Sequence, residues 1–358
     1  MLARFLSNLK YMGKPSLILA ALAADALPGI RFVQIQAVED ENPDIATNLL
    51  TTDDNRLVLV KAPKSSLAAT SLGTEVRALR LLKNVSLPFR VNSYIGETSP
   101  SAIFKALVFE YIPGNAISVR TLRLEDPLIG NLGQSIARIH TIPLNLVADA
   151  GLPDYDPQDI ARAKLQEFDR IADTGRVSPQ LLERWQNALL DVNLFRFQPT
   201  VVHGNLSDEK ILTDGLSVSG INDWSSLAID DPAKDLSFLF SGRIEIANAI
   251  LLAYEGTIRT DRNIRQRATL YAELAFGQYL LYALESGDEG EIQEAVKYLD
   301  GLAQELKDGL LPSLSPSDFT SGQQEVVTPI SQAASFTAPV TVITENIEVI
   351  DLSDNENQ

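Results

Sequence analysis

Two polar loops, at residues 203–210 and 223–226, carry the side chains best suited to chemistry. The Asp223 carboxylate can hold a cation or cap a turn. The Asn205 amide can orient a hydroxyl group but cannot accept its proton, and the Lys210 ammonium cannot ligate a cation. Lys210 could instead pair with Asp223 or supply a fixed positive charge to the site.

The segment between these loops predicts a β-hairpin. Two short apolar runs, Ile211–Leu212 and Val218–Ile221, flank an Asp-Gly pair, which is a strong signal for a tight hairpin turn. A hairpin folds the chain back on itself, so we expect the loop before it to lie beside the loop after it. The sequence therefore predicts that both polar loops belong to one site.

The order and spacing of these residues resemble the signature of the aminoglycoside and macrolide phosphotransferase family, which has the protein-kinase fold. The matching residues are His203, Gly204, Asn205, Leu206, Lys210, Asp223, Trp224, Asp231, Pro232, Ala233, Asp235 and Leu236. The helices containing GQSIARIH and RATLYAELAFGQYLLYAL look most like the macrolide branch. The resemblance covers approximately residues 15–310. It implies phosphoryl transfer from ATP or GTP, with Mg²⁺, to a small-molecule substrate of unknown identity.

The resemblance also marks where this chain departs from the family. The family's catalytic Asp is Asn205 here and its second metal ligand is Lys210, whereas its principal metal ligand corresponds to Asp223. A positioned general base contributes a factor of about 10²–10⁴ in rate. Asn205 and Lys210 are therefore candidate catalytic residues of a degenerate loop, and their identities favour a pseudokinase.

Nucleotide binding would fall to residues earlier in the chain. By the resemblance, Lys61 at the end of an apolar strand contacts the phosphates, with Lys64 as the alternative, and Glu75 pairs with the lysine. Backbone groups of the FEYIP segment, at Glu110 and Ile112, would hold the purine ring. The sequence has neither a Walker A motif nor GxGxxG, so a glycine-rich phosphate cradle is not expected.

Four further polar residues are not predicted to take part in catalysis. Three of them have a predicted structural role, and the fourth has no assigned role. The resemblance implies that His203 shapes the catalytic loop and that Asp235 holds this loop through hydrogen bonds. Asp231 precedes Pro232, so it is predicted to cap the next helix. His140 ends a predicted helix, and no function is assigned to it.

Composition argues against several other kinds of site and partner. The chain has 358 residues, no cysteine, two histidines and a net charge of −17. This composition excludes thiolate metal sites and disulfides, and it makes a histidine-rich metal centre implausible. The negative charge opposes binding to nucleic acid or to anionic membranes, and no apolar run reaches the about 18 residues of a membrane span. We interpret the apolar run near the N terminus as a first helix rather than a signal peptide, so we expect a cytoplasmic protein.

The overall pattern predicts an α+β protein with a two-lobed, kinase-like fold. An N-lobe at 15–112 would combine a small antiparallel sheet with a helix at 67–83, where apolar residues have helical spacing. A mainly helical C-lobe would occupy 113–311. The segment 312–358 contains no Lys or Arg and is rich in polar and acidic residues, so it is predicted to be disordered. Within it, residues 340–352 could form a strand on a protein partner.

Three hypotheses for function follow from these observations. The favoured one is a catalytically impaired pseudokinase that retains a nucleotide or small-molecule cleft. The second is a slow but active phosphotransferase that uses ATP or GTP. The third is a non-enzymatic interaction scaffold that binds its partner through the C-terminal segment.

Overall fold

The computed structural model describes most of the chain upstream of the predicted tail. The described residues are 15–38, 40, 42–99 and 105–315. The predicted tail beyond residue 315, with the strand predicted at 340–352, lies outside them. No helix in the described ranges is long and apolar enough to cross a membrane.

The described residues divide into two compact units. The first contains residues 15–84 and 91–113, and the second contains residues 85–90 and 114–315. The predicted boundary after residue 112 lies one residue from the end of the first unit. The inclusion of 85–90 in the second unit was not predicted.

The first unit is an antiparallel sheet with two helices. Its elements are α1 (Pro15–Ala26), β1 (Phe32–Val38), β2 (Ile45–Thr52), β3 (Leu57–Pro63), α2 (Ser66–Leu82), β5 (Tyr94–Glu97) and β6 (Leu107–Glu110). The strand order is β1-β2-β3-β6-β5, and every pairing is antiparallel. Strand β4 (Arg90–Val91) lies where the chain passes from the second unit into the first.

Helix α2 begins and packs as its sequence predicts. The Ser65 hydroxyl accepts a hydrogen bond from the backbone N–H of Ala68 and so caps the helix. The apolar residues Leu72, Val76 and Leu79 recur at helical spacing and are buried. This face of α2 also buries a carboxylate, which belongs to the candidate site described below.

The second unit is mainly helical. Its helices are α3 (Pro127–His140), α4 (Leu144–Asp149), α5 (Pro157–Asp173), α6 (Pro179–Leu190), α7 (Ile244–Glu255), α8 (Ile264–Ser286) and α9 (Glu289–Lys307). Its strands are β7 (Asn115–Ala116), β8 (Thr200–Val202), β9 (Ile211–Thr213), β10 (Val218–Ile221) and β11 (Ala228–Asp230). Three 3₁₀ helices occupy Asp208–Lys210, Trp224–Ser226 and Pro232–Ser241. The predicted α+β class is confirmed.

The short strands of the second unit position the two polar loops. Strands β9 and β10 form the predicted hairpin, with Ile211 opposite Ile221. Strand β8 pairs with β11, with Val202 opposite Ala228, so each of these strands adjoins one of the loops. The sequence predicted the hairpin but not β8, β11 or the short helix α4.

Candidate active site

The hairpin brings the two polar loops together as predicted. Its turn is closed by Asp214, whose side chain accepts the backbone N–H groups of Leu216 and Ser217 at 3.0 and 2.8 Å. At the other end, the N–H of Asn222 donates to the carbonyl oxygen of Lys210 at 2.9 Å. The last residue of the first loop is therefore held directly beside the start of the second.

Asp235 holds the first loop through its backbone. The buried carboxylate accepts the N–H of His203 at 2.7 Å and the N–H of Gly204 at 2.8 Å. These bonds support the predicted role of Asp235. Although burial opposes ionisation, hydrogen bonding and charge from His140, with further support from His203 and Gly204, hold the pKa of Asp235 below its ordinary value.

His140 has a structural role that sequence reasoning did not assign. Its Nε2 lies 3.1 Å from the Asp235 carboxylate, and its Nδ1 lies 2.7 Å from the hydroxyl of Tyr254. All three side chains are buried. The loop's support therefore extends through Asp235 to helices α3 and α7.

A glycine is required where the two loops touch. Gly204 has a φ of +86°, and a Cβ atom there would lie 2.2 Å from the carbonyl oxygen of Ser226. A side chain at this position would therefore force the backbone of the loops apart. The sequence HGN thus reflects a close backbone contact, and not only a flexible loop.

His203 shapes the loop as a neutral side chain. Its ring packs against Trp224 with centroids 4.7 Å apart, and its Nε2 donates to the carbonyl oxygen of Asn222 at 2.9 Å. The N–H of Asn205 points at the other ring nitrogen, Nδ1, at 3.4 Å. Burial lowers the pKa of His203, and both contacts fit the neutral tautomer that carries its proton on Nε2.

Asn205 is the residue that this supported loop presents to solvent. Its amide oxygen and nitrogen can orient a hydroxyl group, but the side chain has no basic group at neutral pH. The loop is therefore fixed in place, but its exposed residue is not a general base.

Lys210 and Asp223 form an ion pair between the two loops. Lys210 Nζ lies 3.0 Å from Asp223 Oδ2, and the hydroxyl of Ser225 donates to the other carboxylate oxygen at 2.7 Å. Asp223 has a left-handed backbone with φ +60°, which Asp tolerates better than most residues. The structure therefore shows Lys210 paired with Asp223, which was one of the two roles that the sequence left open for this lysine.

Asp208 connects the first loop to an earlier segment of the second unit. Its Oδ2 accepts the N–H of Val119 at 3.0 Å, while its Oδ1 is buried without a hydrogen-bond partner. The pKa of Asp208 is raised to about 6, chiefly by burial and in part by Glu209, although the Val119 N–H and Arg120 act to lower it. Sequence reasoning did not identify this residue.

In the first unit, Lys61 and Glu75 lie together. Lys61 Nζ is 3.3 Å from Glu75 Oε2, and the Glu75 side chain is only 1% exposed. The alternative, Lys64, donates instead to the carbonyl oxygen of Pro43 at 2.7 Å. The pairing is therefore between the two residues that the resemblance selected, and their contact with a nucleotide stays a prediction.

The two predicted purine-binding positions differ in their surroundings. Glu110 is exposed at the end of β6, and its N–H donates to the carbonyl oxygen of Ser93 at 2.8 Å. Ile112 is buried. The N–H of Glu110 is thus engaged within the first unit, and the role of these backbone groups toward a purine stays a prediction.

Asp231 caps a helix as predicted and also belongs to a larger buried network. It accepts the N–H of Ala233 at 2.9 Å. It also forms a two-bond ion pair with Arg267 at 2.7 and 3.1 Å, and accepts the hydroxyl of Tyr271 at 2.7 Å. Arg267 reaches Asp261 as well, at 2.8 Å. This network ties the segment after the site to helix α8.

Comparison with known proteins identifies the family. The model of the phosphotransferase enzyme family matches residues 45–271. This chain belongs to that family. Viomycin phosphotransferase of Streptomyces vinaceus is 28% identical to it over 249 residues, which cover 64% of this chain and 82% of that protein. The predicted family is therefore confirmed.

Solved structures agree on the fold of this phosphotransferase-family chain. The apoenzyme of macrolide 2′-phosphotransferase from Brachybacterium faecium has a TM-score of 0.63 at 22% identity, covering 78% of this chain and 95% of that one. The GDP complex of wild-type aminoglycoside 2′-phosphotransferase-IIIa has a TM-score of 0.65 at 19% identity, covering 82% and 100%. At these identities the likeness concerns the fold, and it confirms the kinase-like prediction.

The magnesium ion that the family implies can be tested against the donor set of this phosphotransferase-family chain. Mg²⁺ requires oxygen ligands in near-octahedral geometry. Both oxygens of Asp223 already contact donors, and one of those donors is an ammonium. Within the described ranges, no group of three or more His, Asp or Glu side chains could hold a metal ion. Because the Lys210 ammonium lies 3.0 Å from Asp223 Oδ2, the residues around Asp223 do not fit a divalent cation.

Proposed function

We propose that this chain is a catalytically impaired member of the phosphotransferase enzyme family that binds a nucleotide or small molecule and acts by binding. The observation that carries the proposal is a fully supported loop that presents Asn205 where a proton acceptor is needed. Asp235 and His203 hold the loop in place, so the defect is one of chemistry and not of shape.

The residues of the first unit support retained nucleotide binding. A lysine held near a carboxylate is pre-oriented, and lysine binds phosphate as a point charge. Lys61 and Glu75 have this arrangement at 3.3 Å. Because Glu75 is almost fully buried, solvent screens its carboxylate little, and the carboxylate attracts the Lys61 ammonium directly.

The catalytic part of the proposal is tested by turnover. The full-length chain is assayed with ATP or GTP, Mg²⁺ and acceptors that include an aminoglycoside, a macrolide and viomycin. We expect the double variant Asn205→Asp with Lys210→Asn to exceed the wild type by a factor of about 10²–10⁴, the contribution of a positioned base. As a matched control, Asn222→Asp with Lys210→Asn adds a carboxylate at a neighbouring position and should give no gain. Wild-type turnover equal to that of the first double variant would contradict the proposal.

The binding part is tested by thermal stability. A nucleotide that binds the native state raises the melting temperature. We expect ATP, GTP or their diphosphates to raise it for the wild type and for Lys64→Ala, but not for Lys61→Ala. If no nucleotide shifts the wild-type transition, the chain does not bind nucleotide and this part fails.

A slow phosphotransferase is the second candidate, and the exposed Asn205 amide favours it. Phosphoryl transfer depends mainly on positioning and charge stabilisation, and an amide can still orient a hydroxyl group. This candidate predicts slow product formation that is abolished by Asn205→Ala and that requires a divalent metal ion. The impaired protein predicts a turnover that Asn205→Ala leaves unchanged.

A further inference from the structure

A nearly buried ammonium lies at the base of the hairpin. The side chain of Lys210 is 4% exposed and that of Asp223 is 27% exposed, with Nζ and Oδ2 3.0 Å apart. The second carboxylate oxygen accepts the hydroxyl of Ser225 at 2.7 Å. The carboxylate therefore already has a full positive charge as its partner.

Lys210 is fixed in this place by its backbone as well as by its side chain. Its N–H donates to the carbonyl oxygen of Ser207 at 3.2 Å, and its own carbonyl oxygen accepts the N–H of Asn222 at 2.9 Å. Separating Lys210 from Asp223 would remove a close opposite charge from an ammonium that is 4% exposed, which is unfavourable. The ion pair is therefore part of the folded loop and not a transient surface contact.

We propose that the Lys210 ammonium is the resident cation of this site, so that Asp223 takes no divalent metal ion and a nucleoside phosphate binds without one. A divalent ion at Asp223 would lie a few ångströms from the ammonium, where repulsion between like charges is large outside bulk water. The ammonium supplies a positive charge at this site whether or not a metal ion is present, and a positive charge favours a phosphate group nearby. The choice of a nucleoside phosphate as ligand rests on the proposed function, whereas the exclusion of metal does not.

The two tryptophans of the chain allow a direct test on the unmodified protein. The chain contains only two; Trp224 is the residue after Asp223, whereas Trp185 lies in helix α6. Both side chains are buried, and each indole N–H is hydrogen-bonded, to the carbonyl oxygen of Ile221 and to the Glu273 carboxylate, both at 2.9 Å. Both indole signals should therefore persist in an NMR spectrum of ¹⁵N-tryptophan-labelled protein.

Mn²⁺ is the probe, because it broadens the signals of nearby nuclei. In the wild type we expect Mn²⁺ to affect the two indole signals alike. In Lys210→Asn we expect selective loss of the Trp224 signal, with an apparent Mn²⁺ affinity at least about a hundredfold higher than in the wild type, from removal of a like charge at this distance. Lys210→Arg keeps the charge and should behave as the wild type.

Two results would overturn the metal part of the proposal. One is selective broadening of Trp224 by Mn²⁺ in the wild type, which needs no variant and so does not depend on how Lys210→Asn folds. The other is a folded Lys210→Asn variant, with Trp185 unshifted, that gains no selective broadening of Trp224.

The ligand part is tested separately, by nucleotide-induced thermal shift with either EDTA or Mg²⁺ present. We expect ADP to raise the melting temperature equally in both conditions. A shift seen only with Mg²⁺ would overturn the metal-free mode. No shift in either condition would overturn nucleotide binding, and with it that part of the proposed function, while the tryptophan experiment still decides the metal part.

Discussion

Asp208 makes a measurable contribution to the pH dependence of stability. The structure raises its pKa from an ordinary value of 3.8 to about 6, chiefly by burial. A carboxylate whose pKa is raised on folding stabilises the native state at pH values below the unfolded pKa. That contribution is lost as the pH rises through the folded pKa.

The magnitude follows from the size of the shift. About two pKa units correspond to a total of about 3 kcal/mol at about 1.4 kcal/mol per unit, as an upper estimate for this mostly buried group. Roughly half of this total, about 1.4 kcal/mol, is lost between about pH 5 and pH 8, since much of the loss occurs below that range. Asp208→Asn keeps an oxygen for the N–H of Val119 but cannot ionise.

The assay is urea unfolding of the wild type and Asp208→Asn at several pH values from about 5 to 8. Effects of pH on the rest of this acidic chain cancel in the difference between the two proteins. We expect the free energy of unfolding of Asp208→Asn, taken relative to that of the wild type, to rise by about 1.4 kcal/mol from about pH 5 to pH 8. This difference should change little above about pH 7.

A neighbouring carboxylate provides the control. Glu209 raises the pKa of Asp208, so Glu209→Gln should make the pH-dependent loss smaller and complete it at lower pH, without removing it. If the stabilities of Asp208→Asn and the wild type run parallel from about pH 5 to 8, burial does not raise this pKa and the reasoning is refuted.

Two further predictions concern packing in the second unit. Gly133→Ala should lower the free energy of unfolding by about 1–3 kcal/mol, because its Cβ would lie 2.3 Å from the carbonyl oxygen of Ile250. In the same helix, the Cβ of Gly130→Ala would meet nothing within 4 Å. This control variant should therefore raise the free energy of unfolding by about 0.5–1 kcal/mol. Urea unfolding of both variants checks this, and equal effects would contradict it. Glu273→Ala should cost about 3–5 kcal/mol, because it removes the carboxylate that binds the largely buried Arg184 at 2.7 and 2.9 Å. Among the described residues, Arg184 then keeps only the carbonyl oxygen of Pro312, and the indole N–H of Trp185 loses its acceptor. Replacement of Glu273 and Arg184 by Met should cost less, and a double variant as unstable as Glu273→Ala would argue against the ion pair as the cause.

Much of the fold could be predicted because its signals lie within a few residues of each other. Helix α5 (Pro157–Asp173) has such a signal, because Asp156 caps the first turn through two backbone N–H groups and a proline follows it. The hairpin was predicted from an Asp-Gly pair, and Gly215 indeed has a left-handed φ of +95°. Such signals depend on local backbone conformation, which the residue types control directly.

The rest of the site depends on partners far apart in the chain. His140 and Asp235 are separated by 95 residues, and Asp231 and Arg267 by 36. No periodicity or turn signal links such residues, so their contacts follow only from the packing of α3, α7 and α8. The pairing of β8 with β11 was missed for the same reason, since three-residue strands carry too little pattern.

The way in which the Asn205 loop is held determines what a replacement at residue 205 would change in this chain. The loop is held by backbone groups of residues 203 and 204 and by the Asp235 carboxylate, while the side chain at 205 faces solvent. Asn and Asp have nearly the same shape, so exchanging them at this position alters reactivity without disturbing the fold. A lineage could therefore lose or recover the proton acceptor through a single replacement, with folding stability exerting little selection on either step.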